Sequence, residues 1–496
     1  MNKIYYMAHQ LKLGIKERHI VLFLFSTACL IRLLPELISY PYPIGYDVIN
    51  YYIPVTTNFS EHWAQVSTQF PLYALLLNIT RIATDISPHQ TVVMMAILMF
   101  GFFALAIFFL ARKLMKLNIK YSLYLAFFVI FQTAVLRTTW DLHRDIFALS
   151  TMLFTFSLLH NERREGSIFN WKLLAIVMIL SAVTAISDRM IGLLFTASLL
   201  IYSAIVKSKT TILCALIAIG FVGFAIFSSN NVFYDVVHSN TESTISDLSS
   251  GARAPYRSYT PANLLVLFVI VNGLLIPSGI VGIRVLRNNL LKITWVITSV
   301  LSFSWLVFPK TETLVADRWI ILSGIFLSIF AAYGVIHIIQ RVNIHLSEKT
   351  SSVIFLSFLG IFITIGIGYT IMPYHTPIIL YSIAREKIET FVPVTMQFNS
   401  LDTKDNDKIL SVISWINNNT NPNAIIIGEK HWRGFMELYL KDNRHFRYSD
   451  NLKNLSESLE QSKQSKAAIY MIRYSNYKNI TRPIYSNGLF SVDNVK

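Results

Sequence analysis

Apolar stretches long enough to cross a bilayer recur along this 496-residue chain, and that recurrence excludes most soluble folds. They lie at about 19–39, 91–111, 121–137, 146–160, 171–187, 190–206, 211–228, 262–283, 291–308, 318–338 and 352–372. With 53% hydrophobic and 14% charged residues, and a mean hydropathy of +0.49, too little polar surface remains for a water-soluble globule. The sequence predicts a mainly α, polytopic membrane protein of about eleven transmembrane helices. Runs 146–160 and 171–187 are short, so tilt or local thinning must cover the mismatch.

Lys and Arg in the short loops set the expected orientation. Alternate loops carry Lys3, Lys12, Lys16 and Arg18; Arg112, Lys113, Lys116 and Lys120; Arg163, Arg164 and Lys172; Lys207 and Lys209; Arg284, Arg287 and Lys292; Arg341 and Lys349. These loops are expected in the cytoplasm with the N-terminus, in a plasma-membrane protein that crosses many times. The apolar stretch 70–82 then reads as an amphipathic helix lying on the outer face. It belongs to a first outer loop, 40–89; a second long outer loop covers 228–263. Five Asn-x-Ser/Thr sequons, at Asn58, Asn78, Asn418, Asn454 and Asn479, fall on the side this topology makes external. The first run has no small-residue cleavage site and reads as a retained anchor. Cys29 and Cys214 sit in expected spans as small core residues.

The formal net charge of +15 reflects largely the inner-loop bias, so nucleic-acid binding does not follow from it. No Gly-rich phosphate loop follows a strand, which argues against an ATP-driven pump. Residues 1–372 therefore form the membrane domain, and 373–496 an outer linker and small α/β domain. Within the latter, 405–417 and 452–464 read as helices, 424–429 and 467–474 as strands, and 373–400 as linker.

Charges near the outer boundary need a reason, because ionisable groups at membrane depth are costly. Asp47 follows the first span on a Pro/Gly-bent, Tyr-rich segment, Tyr42-Pro-Ile-Gly-Tyr46-Asp47. Three outer turns pair Arg with Asp at a similar depth: Arg144 and Asp145 with Asp141 ahead of them, Asp188 with Arg189, and Asp317 with Arg318. Such pairs can neutralise one another and pin helix ends. Alternatively, Arg144, Arg189 or Arg318 offers its planar fork to a phosphate. Arg32 and Glu36, one helical turn apart, read as an intramembrane salt bridge. Asp47 can cap a short helix after Gly45, act as a base, or bind a metal. Tyr46, Tyr51 and Tyr52 can anchor the interface or stack on a sugar. In the second long loop, Arg253 and Arg257 could reach a sugar phosphate.

The order and placement of Gly45-Tyr46-Asp47, Phe70-Pro71-Leu72-Tyr73 and Ala316-Asp317-Arg318-Trp319 resemble the membrane glycosyltransferases of the C-type fold. Protein O-mannosyltransferases and aminoarabinose transferases look similar in these places, and prokaryotic relatives often append an outer α/β domain. The resemblance covers about residues 18–372. It implies transfer of a sugar from a polyprenyl-phosphate donor to an acceptor, whether protein, lipid or glycan, at the extracytoplasmic face. Asp47 would be the general base and Arg318 the leading phosphate ligand; Arg144, Arg189, Asp141, Asp145 and Tyr46 are further substrate-binding candidates. Where many relatives carry an acidic doublet, Val48 follows Asp47, so a second acid would come from Asp141 or Asp145. The Trp-Trp-Asp signature of oligosaccharyltransferases is absent, with only Thr139-Trp140-Asp141 faintly similar. Mg²⁺ or Mn²⁺ on Asp47 with Asp141 or Asp145 is open. The competing readings are a secondary transporter or lipid flippase, with polar residues deep in the spans, and a non-catalytic envelope assembly protein.

Overall fold

The computed structural model describes residues 15–45, 47–57, 59–60, 71–159, 171–228, 261–306, 316–342, 348–371, 406–429, 432–441, 444–449, 467–475 and 483–495. The expected linker 373–400, the helix 452–464, and Tyr46, Phe70, Arg253 and Arg257 lie outside these residues.

Each apolar run is helical within the described residues. The first span is α1 (Ile15–Ser39). It leads to a π-helical turn, Val48–Tyr52, and the short α2 (Ile53–Thr57). Helix α3 (Leu72–Thr84) coincides with the expected amphipathic stretch. Its 13 residues reach only about 20 Å, short of the roughly 30 Å of hydrocarbon. Arg81 ties it back to α2 by donating to the Thr56 and Thr57 carbonyls.

The bundle continues through α4 (Pro88–Phe109), α5 (Ile119–Ile130), α6 (Thr133–Asp141), α7 (His143–Leu159), α8 (Trp171–Ser187), α9 (Arg189–Val206) and α10 (Lys209–Ser228). It closes with α11 (Pro261–Asn272), α12 (Ile276–Val285), α13 (Asn289–Ser302), α14 (Ala316–Val342) and α15 (Glu348–Ile371). Among the described residues, seven helical stretches are long and apolar enough to cross a membrane, so this is a multi-pass membrane protein. The number becomes eight if α5 and α6, bent by 62° at Phe131–Gln132, are one broken span.

Helix α14 is the axis of the bundle: 94% of its membrane-length window is buried, against 61% or less for every other span. Lipid supplies no hydrophobic drive between helices, so close packing must hold them. Gly282 of α12 and Gly334 of α14 serve that need. A Cβ on the first would collide with the Phe330 carbonyl, and on the second with the Ser278 carbonyl. Hydroxyls add interhelical bonds: Thr184 donates to Thr151 at 2.9 Å, Thr294 donates to Ser198 at 3.0 Å, and Ser299 meets Ser323 at 3.1 Å.

After α15 comes a small α/β region. Helices α16 (Asn406–Asn419) and α17 (Arg433–Tyr439) accompany a five-stranded sheet of order β2-β1-β3-β5-β4. Its strands are β1 (Ile425–Glu429), β2 (His445–Ser449), β3 (Ile469–Tyr474), β4 (Tyr485–Ser486) and β5 (Phe490–Asn494). β1 runs parallel to β2 and β3; β5 runs antiparallel to β3 and β4. Ile413, Ile426, Trp432, Phe435, Ile472 and Val492 form its core. Ile49, from the turn after Asp47, is buried in that same core.

Candidate functional site

Helix corners deliver the charges. Helices α6 and α7 are joined through Leu142 alone, which puts His143, Arg144 and Asp145 in the first turn of α7. Helices α8 and α9 are joined through Asp188 alone, whose carboxylate caps α9 by accepting from the Met190 and Ile191 amides at 2.8 and 3.0 Å. Asp317 and Arg318 open the axial helix α14. Asp47 stands at the N-cap of the π-helical turn without making a side-chain cap bond.

These groups meet. Arg318 lies within electrostatic range of Asp145, Asp47, Asp317 and Asp188. Arg144 does the same toward Asp188, Asp47, Tyr51 and Tyr52, and its guanidinium lies 5.1 Å from the Tyr51 ring centroid. Asp145, 4% exposed, faces the Asp188 carboxyl. The cluster thus holds two cationic forks, a base candidate and a pair of facing carboxyls in one partly buried place.

Tyr52 joins the cluster from the segment that follows α1. Its ring stacks on His143 at 5.0 Å and 13°, and it is only 1% exposed. Its hydroxyl, in range of Arg144, Asp47 and Asp145, has no hydrogen-bond partner among the described residues. Burial pushes the Tyr52 phenol well above its ordinary pKa, and the Tyr51 phenol upward too, so both hydroxyls keep their protons. A buried O–H donor without a partner, beside charged groups, is what an anionic or hydroxylated ligand would complete.

A second network lies beside the first. Arg32 pairs with Glu36 at 2.7 Å, and it donates through Nε to the Thr139 carbonyl at 2.9 Å and through Nη2 to that of Trp140 at 3.4 Å. Those carbonyls end α6, where a cation is favoured by the helix dipole. The Trp140 carbonyl also accepts from His143 Nε2 at 3.1 Å, which leaves Nδ1 as the acceptor of the Tyr73 O–H at 3.2 Å. His143 is therefore neutral, with its proton on Nε2. The salt bridge expected for Arg32 and Glu36 is present, and it anchors α1 to α6.

Of the residues singled out from the sequence, Asp47, Arg144, Asp145 and Arg318 come together, as does Asp188 beside them. Arg189 does not join this set of interacting charges among the described residues; its turn contributes the Asp instead. Asp141 ends α6, and Tyr46 lies outside the described residues. Tyr52 and His143 carry more of the site's geometry than the sequence suggested. Their signal was available in the period: Tyr52 follows Asp47 by five residues, one π turn. No three metal-ligating side chains stand together among the described residues. No protein-family model matches the chain, and no curated protein matches it.

Proposed function

We propose that this protein transfers a sugar from a polyprenyl-phosphate donor to an acceptor hydroxyl at the outer membrane face. It would use a C-type glycosyltransferase fold of about eleven spans, with the N-terminus in the cytoplasm. The observation that carries this reading is the meeting of Asp47 with Arg144 and Arg318, brought together by three separate turns. Asp47 takes the proton of the acceptor hydroxyl as that oxygen attacks the anomeric carbon. The bond from that carbon to the phosphate oxygen breaks, and the electron pair leaves with the polyprenyl phosphate. Arg318 and Arg144 stabilise the charge that develops there. Tyr52 donates its hydroxyl to the same region.

The test is sugar release from a radiolabelled polyprenyl-phosphate-sugar pool by membranes holding equal amounts of wild-type or Asp47→Asn protein. Release by the wild type and its loss in the variant support the assignment; equal release by both removes Asp47 from the chemistry.

Transport is the second reading, favoured by two interrupted helices, α5–α6 at Phe131–Gln132 and α11–α12 at Gly273–Leu275. Asn272, fully buried at the second break, has a carbonyl oxygen with no hydrogen-bond partner among the described residues. Labelled lipid that crosses reconstituted vesicles intact, without sugar release, would favour that reading.

A further inference from the structure

The π-helical turn after Asp47 has two sides. Asp47, Tyr51 and Tyr52 face the charge cluster. Ile49 and Asn50 face away from it, into the C-terminal α/β domain. Ile49 is 2% exposed and packs in the core that holds Val412, Trp432, Phe435 and Met436. The Asn50 side-chain carbonyl accepts from the Gly434 amide at 3.0 Å, across 384 residues of chain. That amide belongs to the first turn of α17, where backbone N–H groups lack intrahelical partners, so the membrane domain caps a helix of the outer domain.

Gly434 is the tightest point of the joint. A Cβ there would fall inside the Ile49 carbonyl group and lie 3.0 Å from the Asn50 nitrogen. The obstacle is backbone, which cannot rotate away as a flexible side chain would. Leu438, one turn further along α17, packs against both the membrane core and the outer core. Tyr42, before Asp47, donates its hydroxyl to Asp407 at the start of α16. The chain is thus held by the C-terminal domain on both sides of Asp47.

We infer that the C-terminal domain positions the Asp47 segment at the charge cluster, with Ile49, Asn50 and Gly434 as the positioning residues. The assignment of a task to Asp47 rests on the transferase reading; the holding of the segment does not. A π turn lacks the favourable packing of an α-helix and persists where its surroundings impose it. Here the imposing contacts come from the docked domain. Asp47 then depends on residues almost four hundred positions away for its place beside Arg144 and Arg318.

The experiment uses the full-length protein in detergent, as wild type, Gly434→Val and Asn50→Ala. Hydrogen–deuterium exchange of peptides covering 47–57 is read beside peptides from α14, and sugar release is measured on the same samples. Both variants speed exchange in 47–57, Gly434→Val by about tenfold or more and Asn50→Ala by less, while α14 is unchanged. Both lower kcat per folded molecule, with KM for the donor unchanged, because Arg144 and Arg318 stay on the bundle. A general loss of stability would instead speed exchange in α14 and leave kcat per folded molecule intact. Unchanged exchange in 47–57 overturns the inference, and so does faster exchange with undiminished kcat. If the wild type releases no sugar, the transferase reading falls and exchange alone decides the inference: faster exchange confined to 47–57 upholds the domain's hold on the segment.

Discussion

Two polar networks lie side by side around the first turn of α7: one is made of hydrogen bonds that tie helix to helix, the other of charges gathered around a buried tyrosine hydroxyl. In the Arg32 network, Glu36, two α6 carbonyls, His143 and Tyr73 consume one another's hydrogen-bonding capacity; Nη1 of Arg32 alone lacks a partner. The Asp47 cluster gathers more charges, Asp47, Arg144, Asp145, Asp188 and Arg318, and it keeps the Tyr52 hydroxyl without a hydrogen-bond partner among the described residues. The first arrangement is what a membrane bundle needs to fix α1 against α6. The second is costly for stability alone, because an orphaned buried hydroxyl carries a desolvation penalty of about 1–3 kcal/mol. Such a cost persists where a ligand removes it.

Substitutions should separate the networks. Asp47→Asn has the largest expected effect: sugar release falls by about 10²–10⁴-fold, the range for loss of a general base, while the detergent melting temperature stays at the wild-type value. Arg32→Ala should do the reverse. It leaves Glu36, whose side chain is 7% exposed, without its partner, and breaking a buried pair costs about 3–5 kcal/mol. Its melting temperature drops sharply, while the protein that remains folded turns over at a near-normal rate. A melting temperature that falls with Asp47→Asn, or an Arg32→Ala protein that melts normally, would erase the distinction.

The sequence made some of this legible. The described apolar runs are helical, two of them in two pieces, because helix in an apolar segment follows from local hydropathy and needs no long-range information. The short amphipathic α3 was legible for the same reason. The Arg/Asp turns were readable as groups set at one level, but which member of each pair faces inward was not. At Ser187-Asp188-Arg189 the Asp points in, as an N-cap that also meets Asp145; a capping residue in a one-residue corner was the available clue. The 62° break at Phe131–Gln132 has no Pro or Gly to announce it. Least legible was the docking of Gly434 on Ile49. It depends on tertiary approach alone, and a glycine in a short helix of a distant domain says nothing by itself about what it touches.

The smaller predictions turn on a pair of buried tyrosines whose ring centroids lie 5.2 Å apart. Tyr73 is hydrogen-bonded to His143, so Tyr73→Phe strands the buried Nδ1 acceptor and should cost about 1–3 kcal/mol of stability. Tyr52→Phe removes a hydroxyl that makes no such bond. The melting temperature should hold or rise slightly, since the ring and its stacking on His143 are kept. If the hydroxyl serves a charged ligand, turnover falls by about tenfold, the worth of one hydrogen bond to an ionised group. Both variants are read by thermal melting in detergent and by sugar release per folded molecule. Equal destabilisation by both would make Tyr52 a second structural tyrosine and shrink the open cluster to its charges. A stable Tyr52→Phe protein with depressed turnover would place the ligand against that ring, at the seam between the bundle and the segment the C-terminal domain holds.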